Sequence, residues 1–181
     1  TELWTLNRVA EEKEVPGSYD VALTDIDDDG DLDLAASSWR FGNRFDWFEN
    51  VGSPGNGSEW KRHEIDAEIG ETRTIAVVDF NRDGKSDLLG TSRTGHHVMW
   101  YANPKNPKTD TWKKTAIDDN TLYPAHGHPV DIDKDGDLDV VMAFGIAGGA
   151  SPEGVESHQI AWYENIGTPG RGTEWIKHDV V

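Results

Sequence analysis

The chain has 181 residues, 34 Asp and Glu against 17 Lys and Arg, a formal charge of −17, and no cysteine. That balance is the reverse of what a nucleic-acid binder needs to neutralise phosphates, and the missing thiols exclude disulfide staples, thiolate metal sites and a cysteine nucleophile. No apolar run approaches the ~18 residues of a membrane helix, and with no leader pattern at its start the sequence reads as a mature product or an excised fragment.

In chain order, residues 4–9 (WTLNRV) form a short extended stretch whose pattern returns later. The run Val21–Thr24 then leads into an acidic nonapeptide, 25–33 (DIDDDGDLD). Next come 47–50 (WFEN), a Gly/Pro-rich turn, and 60–65 (WKRHEI). The series begins again with Ile75–Val78, the nonapeptide 79–87 (DFNRDGKSD), Leu88 and Leu89, 100–103 (WYAN) and 112–117 (WKKTAI). A third round has 131–139 (DIDKDGDLD), the run Asp139–Met142, 162–165 (WYEN) and 175–180 (WIKHDV). The nonapeptides start 54 and 52 residues apart.

Three landmarks recurring in one order define a repeat. The segments between them are short, rich in β-branched and aromatic residues, and bounded by Gly, Pro, Asn and Asp, which predicts strands. No stretch carries a helical period. About four strands per repeat predicts an all-β fold of four-stranded antiparallel β-propeller blades. Strand 1 should lead into the Asp loop, strand 2 leave it, strand 3 hold the Trp-aromatic-x-Asn landmark and strand 4 the later Trp. Residues 1–181 then read as one propeller domain or a fragment of one: 1–9 an extra N-terminal strand, the outer strand of an incomplete repeat, then repeats at 10–65, 66–117 and 118–181. Repeat three is about ten residues longer, with the excess between Val140 and His158 in an enlarged strand 2–3 loop.

The nonapeptides have the chemistry of calcium loops. Ca²⁺ takes about 6–8 oxygen ligands in flexible geometry, and Gly at position 6 permits the sharp turn around it. Positions 1, 3, 5 and 9 offer side-chain oxygens: Asp25, Asp27, Asp29 and Asp33; Asp79, Asn81, Asp83 and Asp87; Asp131, Asp133, Asp135 and Asp139. Position 7 adds a backbone carbonyl, from Asp31, Lys85 and Asp137. Three ions are expected, moving the charge from −17 to −11. An EF-hand fails, because position 12 is Ala36, Gly90 or Met142 and the flanks read as strands. Loop two, with Asn81 at position 3 and Arg82 and Lys85 beside it, is expected to bind most weakly.

These nonapeptides at strand spacing resemble the VCBS/FG-GAP repeat family, whose calcium-loop blades also occur in integrin α-subunit propellers. The resemblance covers nearly the whole chain. It implies propeller architecture, Ca²⁺ in the loops joining strands 1 and 2, and a secreted or cell-surface location. Closed propellers have about 4–8 blades, so three repeats imply the remainder of a longer propeller, a second copy in a homo-oligomer completing the ring, or an open, capped arc.

The repeated tryptophans, Trp47, Trp100, Trp162, Trp4, Trp60, Trp112 and Trp175, are expected to pack between blades. His63 and His178, replaced by Asn7 and Thr115 in the other copies, suggest a half-exposed strand position without chemistry. Residues that do not repeat are not demanded by the scaffold. On the face opposite the metal loops the topology collects Tyr19, Trp39, Phe41 and Tyr123, the arginines 40, 44, 73 and 93, and the histidines 96, 97, 126, 128 and 158. Such a face suits a carbohydrate, especially an acidic sugar, or a protein or peptide ligand. The leading expectation is a calcium-binding extracellular module without catalysis of its own. One alternative is part of a lyase-like propeller enzyme acting on polysaccharide, with Arg73, Tyr123, His126 and His128 at the channel mouth. Another is a pure scaffold.

Overall fold

The structure, a computed structural model, describes residues 6–52, 55–145, 159–167 and 170–180. Twelve strands form three four-stranded antiparallel sheets, and there is no helix among the described residues. The first sheet contains β1 (Ser18–Thr24), β2 (Asp33–Ser38), β3 (Arg44–Asn50) and β4 (Trp60–Asp66) in that order. The second contains β5 (Thr72–Val78), β6 (Asp87–Ser92), β7 (His97–Ala102) and β8 (Lys113–Asp118). The third contains β9 (Pro124–Val130), β10 (Asp139–Phe144), β11 (Gln159–Gly167) and β12 (Gly170–Asp179). Each is a meander, as short strands joined by tight turns require, and together they are propeller-like blades. Residues 6–9 carry no strand, and the rest of the 1–9 segment lies outside the described residues, as do 146–158 of the enlarged loop in the third repeat.

Register repeats from blade to blade. Ala35 pairs with Trp47, Leu89 with Trp100 and Val141 with Trp162. Those tryptophans then pair with His63, Thr115 and His178. Because side chains alternate across a strand, one face of each blade looks toward the following blade and the other toward the preceding one. Ile26, Ala35, Phe45 and Trp47 of blade 1 pack on Ile75, Leu88, Met99 and Tyr101 of blade 2. Phe80, Leu89, Val98 and Trp100 of blade 2 pack on Val140, Met142 and Tyr163 of blade 3. Burying an Ile or Leu side chain stabilises by roughly 1.5–3 kcal/mol, so these two seams hold the arc. The outward faces lack such cover: Ile26 is 0% exposed, whereas its equivalent Ile132 on blade 3 is 44% exposed.

A second tie recurs at the outer strands. The Tyr101 hydroxyl donates to Asp66 at the end of the preceding blade (2.8 Å), and the Tyr163 hydroxyl donates to Asp118 (2.7 Å). Blade 1 carries Phe48 at the matching position, and the residue matching Asp66 before it is Ala10. Hydroxyl and carboxylate therefore appear together or not at all.

Side chains tie the N-terminal end of β5 to β2 of the preceding blade and to β9 of the following one. Ser37 Oγ donates to the Arg73 carbonyl (2.6 Å), Thr72 Oγ1 to the Ser38 carbonyl (2.8 Å) and Thr74 Oγ1 to the Ala125 carbonyl (3.0 Å). Backbone groups that no sheet ladder reaches are satisfied this way.

Candidate metal centres and the opposite face

The three nonapeptides fold alike. Gly30, Gly84 and Gly136 have φ of 101°, 85° and 94°. Position 4 is left-handed as well, with Asp28, Arg82 and Lys134 at 61°, 59° and 67°. Two left-handed residues bracketing position 5 curl the chain so that its amides point inward at the first carboxylate. Gly30 N donates to Asp25 Oδ2 (2.9 Å), Gly84 N to Asp79 Oδ2 (3.0 Å) and Gly136 N to Asp131 Oδ2 (3.2 Å). The position-5 amides donate to position 3: Asp29 to Asp27, Asp83 to Asn81 and Asp135 to Asp133. The position-7 amides donate to position 5: Asp31 to Asp29, Lys85 to Asp83 and Asp137 to Asp135.

Position 9 anchors the loop. Asp33, Asp87 and Asp139 are buried. Each accepts a backbone N–H from the asparagine closing strand 3: Asn50 (2.9 Å), Asn103 (2.7 Å) and Asn165 (2.9 Å). Asp33 and Asp139 also accept from Ile26 and Ile132. The asparagine amides complete the lock by donating to the carbonyls of Leu32, Ser86 and Leu138. Burial pushes the Asp33 carboxyl up to about 6 and Asp87 up to about 7, and raises Asp139; the N–H donors offset part of this, and neighbouring loop carboxylates add to it. Desolvated carboxylates beside like charges call for a counter-ion.

Carboxylate oxygens of Asp25, Asp27 and Asp29 lie within 4.8 Å of one another, as do those of Asp131, Asp133 and Asp139. Oxygens of that spacing suit a hard cation with ligands at 2.3–2.6 Å. The Oδ1 of Asp131 is buried without a hydrogen-bond partner, and so is Oδ2 of Asp87, so the donor set fits Ca²⁺. Loop two departs from the others. The Asn81 amide donates to Asp83 (3.1 Å), and its carboxylates do not gather into such a group.

The basic residues of blade 2 turn outward to the neighbouring loops. Lys85 reaches Asp28 of loop one (3.2 Å), and Arg82 contacts the Gly136 carbonyl and the Asp137 carboxylate of loop three. Lys108, between β7 and β8, bridges Asp27 (2.6 Å) and Glu49 (2.7 Å) of blade 1. Arg171, between β11 and β12, donates to the Asn81 carbonyl (3.2 Å). Each later blade therefore lays a cation against the loop of the blade before it.

On the opposite face the structure brings Tyr19, Trp39, Arg40, Arg73 and His126 together. Arg73 Cζ lies 4.2 Å from the Trp39 ring centroid and 4.7 Å from that of Tyr19. The Tyr19 hydroxyl is 3.0 Å from His126 Nε2, and the two rings stack. Tyr123 belongs to a separate group with His96 (ring centroids 4.9 Å apart) and Arg93, which pairs with Glu71. Arg44 is engaged by Asp46 and Glu64. His128 shares the exposed side of β9 with His126. His158 lies outside the described residues. Arg73, Tyr123, His126 and His128 are thus divided between two clusters and a strand face and form no single constellation.

One expectation needs correction. His63 is 9% exposed, not half-exposed. Its ring stacks on Trp47 with centroids 4.4 Å apart, and Nε2 lies 2.7 Å from Glu49. The stack lies on the face that blade 2 covers, so the ring is buried with it. His178 repeats the arrangement on Trp162 and Glu164 but is half-exposed, as expected for this position. Trp47, Trp100 and Trp112 are buried as packing residues; Trp4 lies outside the described residues.

The strand-3 asparagines stood out in the sequence only as part of a repeated landmark, and the tyrosine–aspartate tie did not stand out at all. Both had a signal: Asn50, Asn103 and Asn165 recur in every copy, and Tyr101 and Tyr163 each follow an Asp-ended strand where Phe48 does not. The positive φ at position 4 had none, since Asp, Arg and Lys occupy it in turn.

A search of curated proteins returned no match to the chain. The FG-GAP-like repeat matches twice, over residues 25–90 and 79–142, each span running from one Asp loop into the next. With some two thirds of its length covered by these repeats and three like blades built around them, the chain belongs to the FG-GAP-like repeat family.

Proposed function

We propose that this chain is a calcium-loaded propeller module of a secreted or cell-surface protein, and that its face opposite the metal loops binds a carbohydrate or protein ligand. The observation that carries the calcium reading is the convergence of loop carboxylates within 4.8 Å of one another, beside buried oxygens left without hydrogen bonds. Family membership supports the same reading, since such repeats often bind calcium and are typical of extracellular proteins.

Three ions would be held by Asp25, Asp27, Asp29 and Asp33; by Asp79, Asn81, Asp83 and Asp87; and by Asp131, Asp133, Asp135 and Asp139. The carbonyls of Asp31, Lys85 and Asp137 would complete the sets. Bound Ca²⁺ would supply counter-charge to carboxylates that the fold crowds together. The protein's part is to preform each loop through two left-handed residues and to fasten it to strand 3 through the position-9 carboxylate. The ligand reading is supported by the cluster of aromatic and basic side chains at the far end of the inner strands. Native mass spectrometry in millimolar Ca²⁺ is expected to find three ions, removed by chelator. A spectrum of metal-free protein under those conditions would overturn the calcium reading.

A further inference from the structure

The five side chains gathered on the face opposite the metal loops, called the mouth, form a continuous ladder. Arg40 Cζ lies 4.4 Å from the Trp39 centroid, Arg73 packs on both Trp39 and Tyr19, and Tyr19 stacks on His126. Contact with a ring uses the face of a guanidinium and leaves its N–H donors, which lie in its plane, to be satisfied by something else. Here no protein acceptor among the described residues does so. Of the eight arginines, six donate to a carboxylate or a backbone carbonyl. Arg40 and Arg73 have no hydrogen-bond acceptor among the described residues, in a chain with twice as many acids as bases. Arg73 is only 8% exposed, and the Trp39 Nε1 beside it is buried without a partner. The nearby carboxylates are engaged elsewhere: Asp20 accepts from the Ile75 and Val21 amides and Glu71 from Arg93. The buried indole N–H of Trp39 is the donor that costs stability without an acceptor, whereas the guanidinium nitrogens keep access to solvent and so to a ligand.

We infer that the ladder edge is an anion subsite that takes the carboxylate of an acidic sugar, a uronate residue. The carboxylate follows from two arginines on one indole, because planar guanidinium donors match its paired oxygens. The sugar follows from what flanks them. Phe41 follows in the same turn, its amide donating to the Trp39 carbonyl, and is 81% exposed, an apolar ring open to the C–H face of a pyranose. Tyr19 and His126 add groups that can either donate to or accept from hydroxyls. The five ladder side chains include no acid, so two guanidiniums supply the local charge against the repulsion of a −17 chain.

This assignment rests on the reading that the mouth face binds a ligand, so the test must separate the two. Calcium-saturated protein is titrated by calorimetry, at fixed free Ca²⁺, with trigalacturonic acid, with its carboxyl-reduced form and with an Asp-rich peptide. The acidic trisaccharide is expected to bind at least about tenfold more tightly than the reduced one, the size of a lost charge-assisted hydrogen bond. Arg73→Met should abolish that preference. Because Arg73 is buried, the exposed Arg40→Gln is measured beside it and should weaken binding by about tenfold with folding unchanged. Equal affinity for the reduced sugar overturns the carboxylate assignment while leaving a carbohydrate site. Binding of the peptide alone overturns the sugar and leaves a protein-binding face. Unchanged affinity in a folded Arg40→Gln protein removes the site from the ladder. No binding of any probe sinks both readings of this face, whatever the ion count.

Discussion

The inner strands β1, β5 and β9 end alike and begin differently. Each runs into the same acidic loop, closed by the same buried aspartate and the same strand-3 asparagine. At their other ends stand Tyr19, Arg73 and Ala125, six residues before the loop in each copy. The repeated end performs work every blade needs, which is to fasten strands 1, 2 and 3 around one carboxylate cluster. The unrepeated end has no such duty. Residues there accumulate for another reason, and in this chain they gather cations and aromatics away from the acids.

The sharpest way to break this comparison is to remove the metal. If each loop is held at a hundred times its dissociation constant, an ion stabilises by about 2.7 kcal/mol, and three loops by about 8 kcal/mol. Chelation should then lower Tm by at least about 15 °C, measured by scanning calorimetry. An unchanged Tm would mean that the metal end holds nothing together.

Next comes the anchor. Asp33→Ala removes a buried carboxylate that accepts two backbone N–H bonds. It should cost about 3 kcal/mol or more, and native mass should fall to two ions. Retention of three ions would show that position 9 is structural only.

The blade-to-blade tie is smaller. Tyr101→Phe loses a hydrogen bond to a carboxylate and should cost about 2 kcal/mol in denaturant unfolding, as should Tyr163→Phe, with Phe48 a natural example of the product. The tie also sets a pH dependence. Burial acts to raise the Asp66 carboxyl, but Lys114, the Glu68 amide and the Tyr101 hydroxyl outweigh it and hold it below the ordinary 3.8. A depressed carboxyl stabilises the fold above its unfolded value and loses that contribution as pH falls through the folded one. Stability from this group should therefore be intact above pH ~4 and fade below it, and Asp66→Asn should flatten that limb.

Within the metal end, Asn81→Asp should strengthen calcium binding to loop two by about tenfold, since ligand charge tunes affinity; calorimetry would show the weakest of three sites converging on the others. Smallest of all, Arg40→Gln should shift unfolding by no more than about 0.5 kcal/mol, as exposed side chains outside named contacts do. A large shift would make the mouth structural and erase the contrast.

The strands and loops were legible because they rest on local rules. Period-two runs bounded by turn residues place β1, β2 and β3 and their equivalents, and the nonapeptide spacing places every loop carboxylate. His63 was misread as half-exposed because substitution by Asn or Thr says nothing of what lies above a strand, and a second blade lies there. The division of the non-repeating residues into a Tyr19–Arg73–His126 group and a Tyr123–His96–Arg93 group could not be read from spacing.

The sequence by itself determined the blade, because three copies of one pattern repeat the same alternation, turns and carboxylate spacing wherever they are placed. The tertiary structure alone decided which cations and hydroxyls meet which acids. Lys108 on Asp27, Arg82 on Asp137 and Tyr101 on Asp66 join different blades. It also left Arg40 and Arg73 with rings and no acceptor among the described residues. Such pairings depend on how twisted sheets stack about an axis, and no local rule carries that distance.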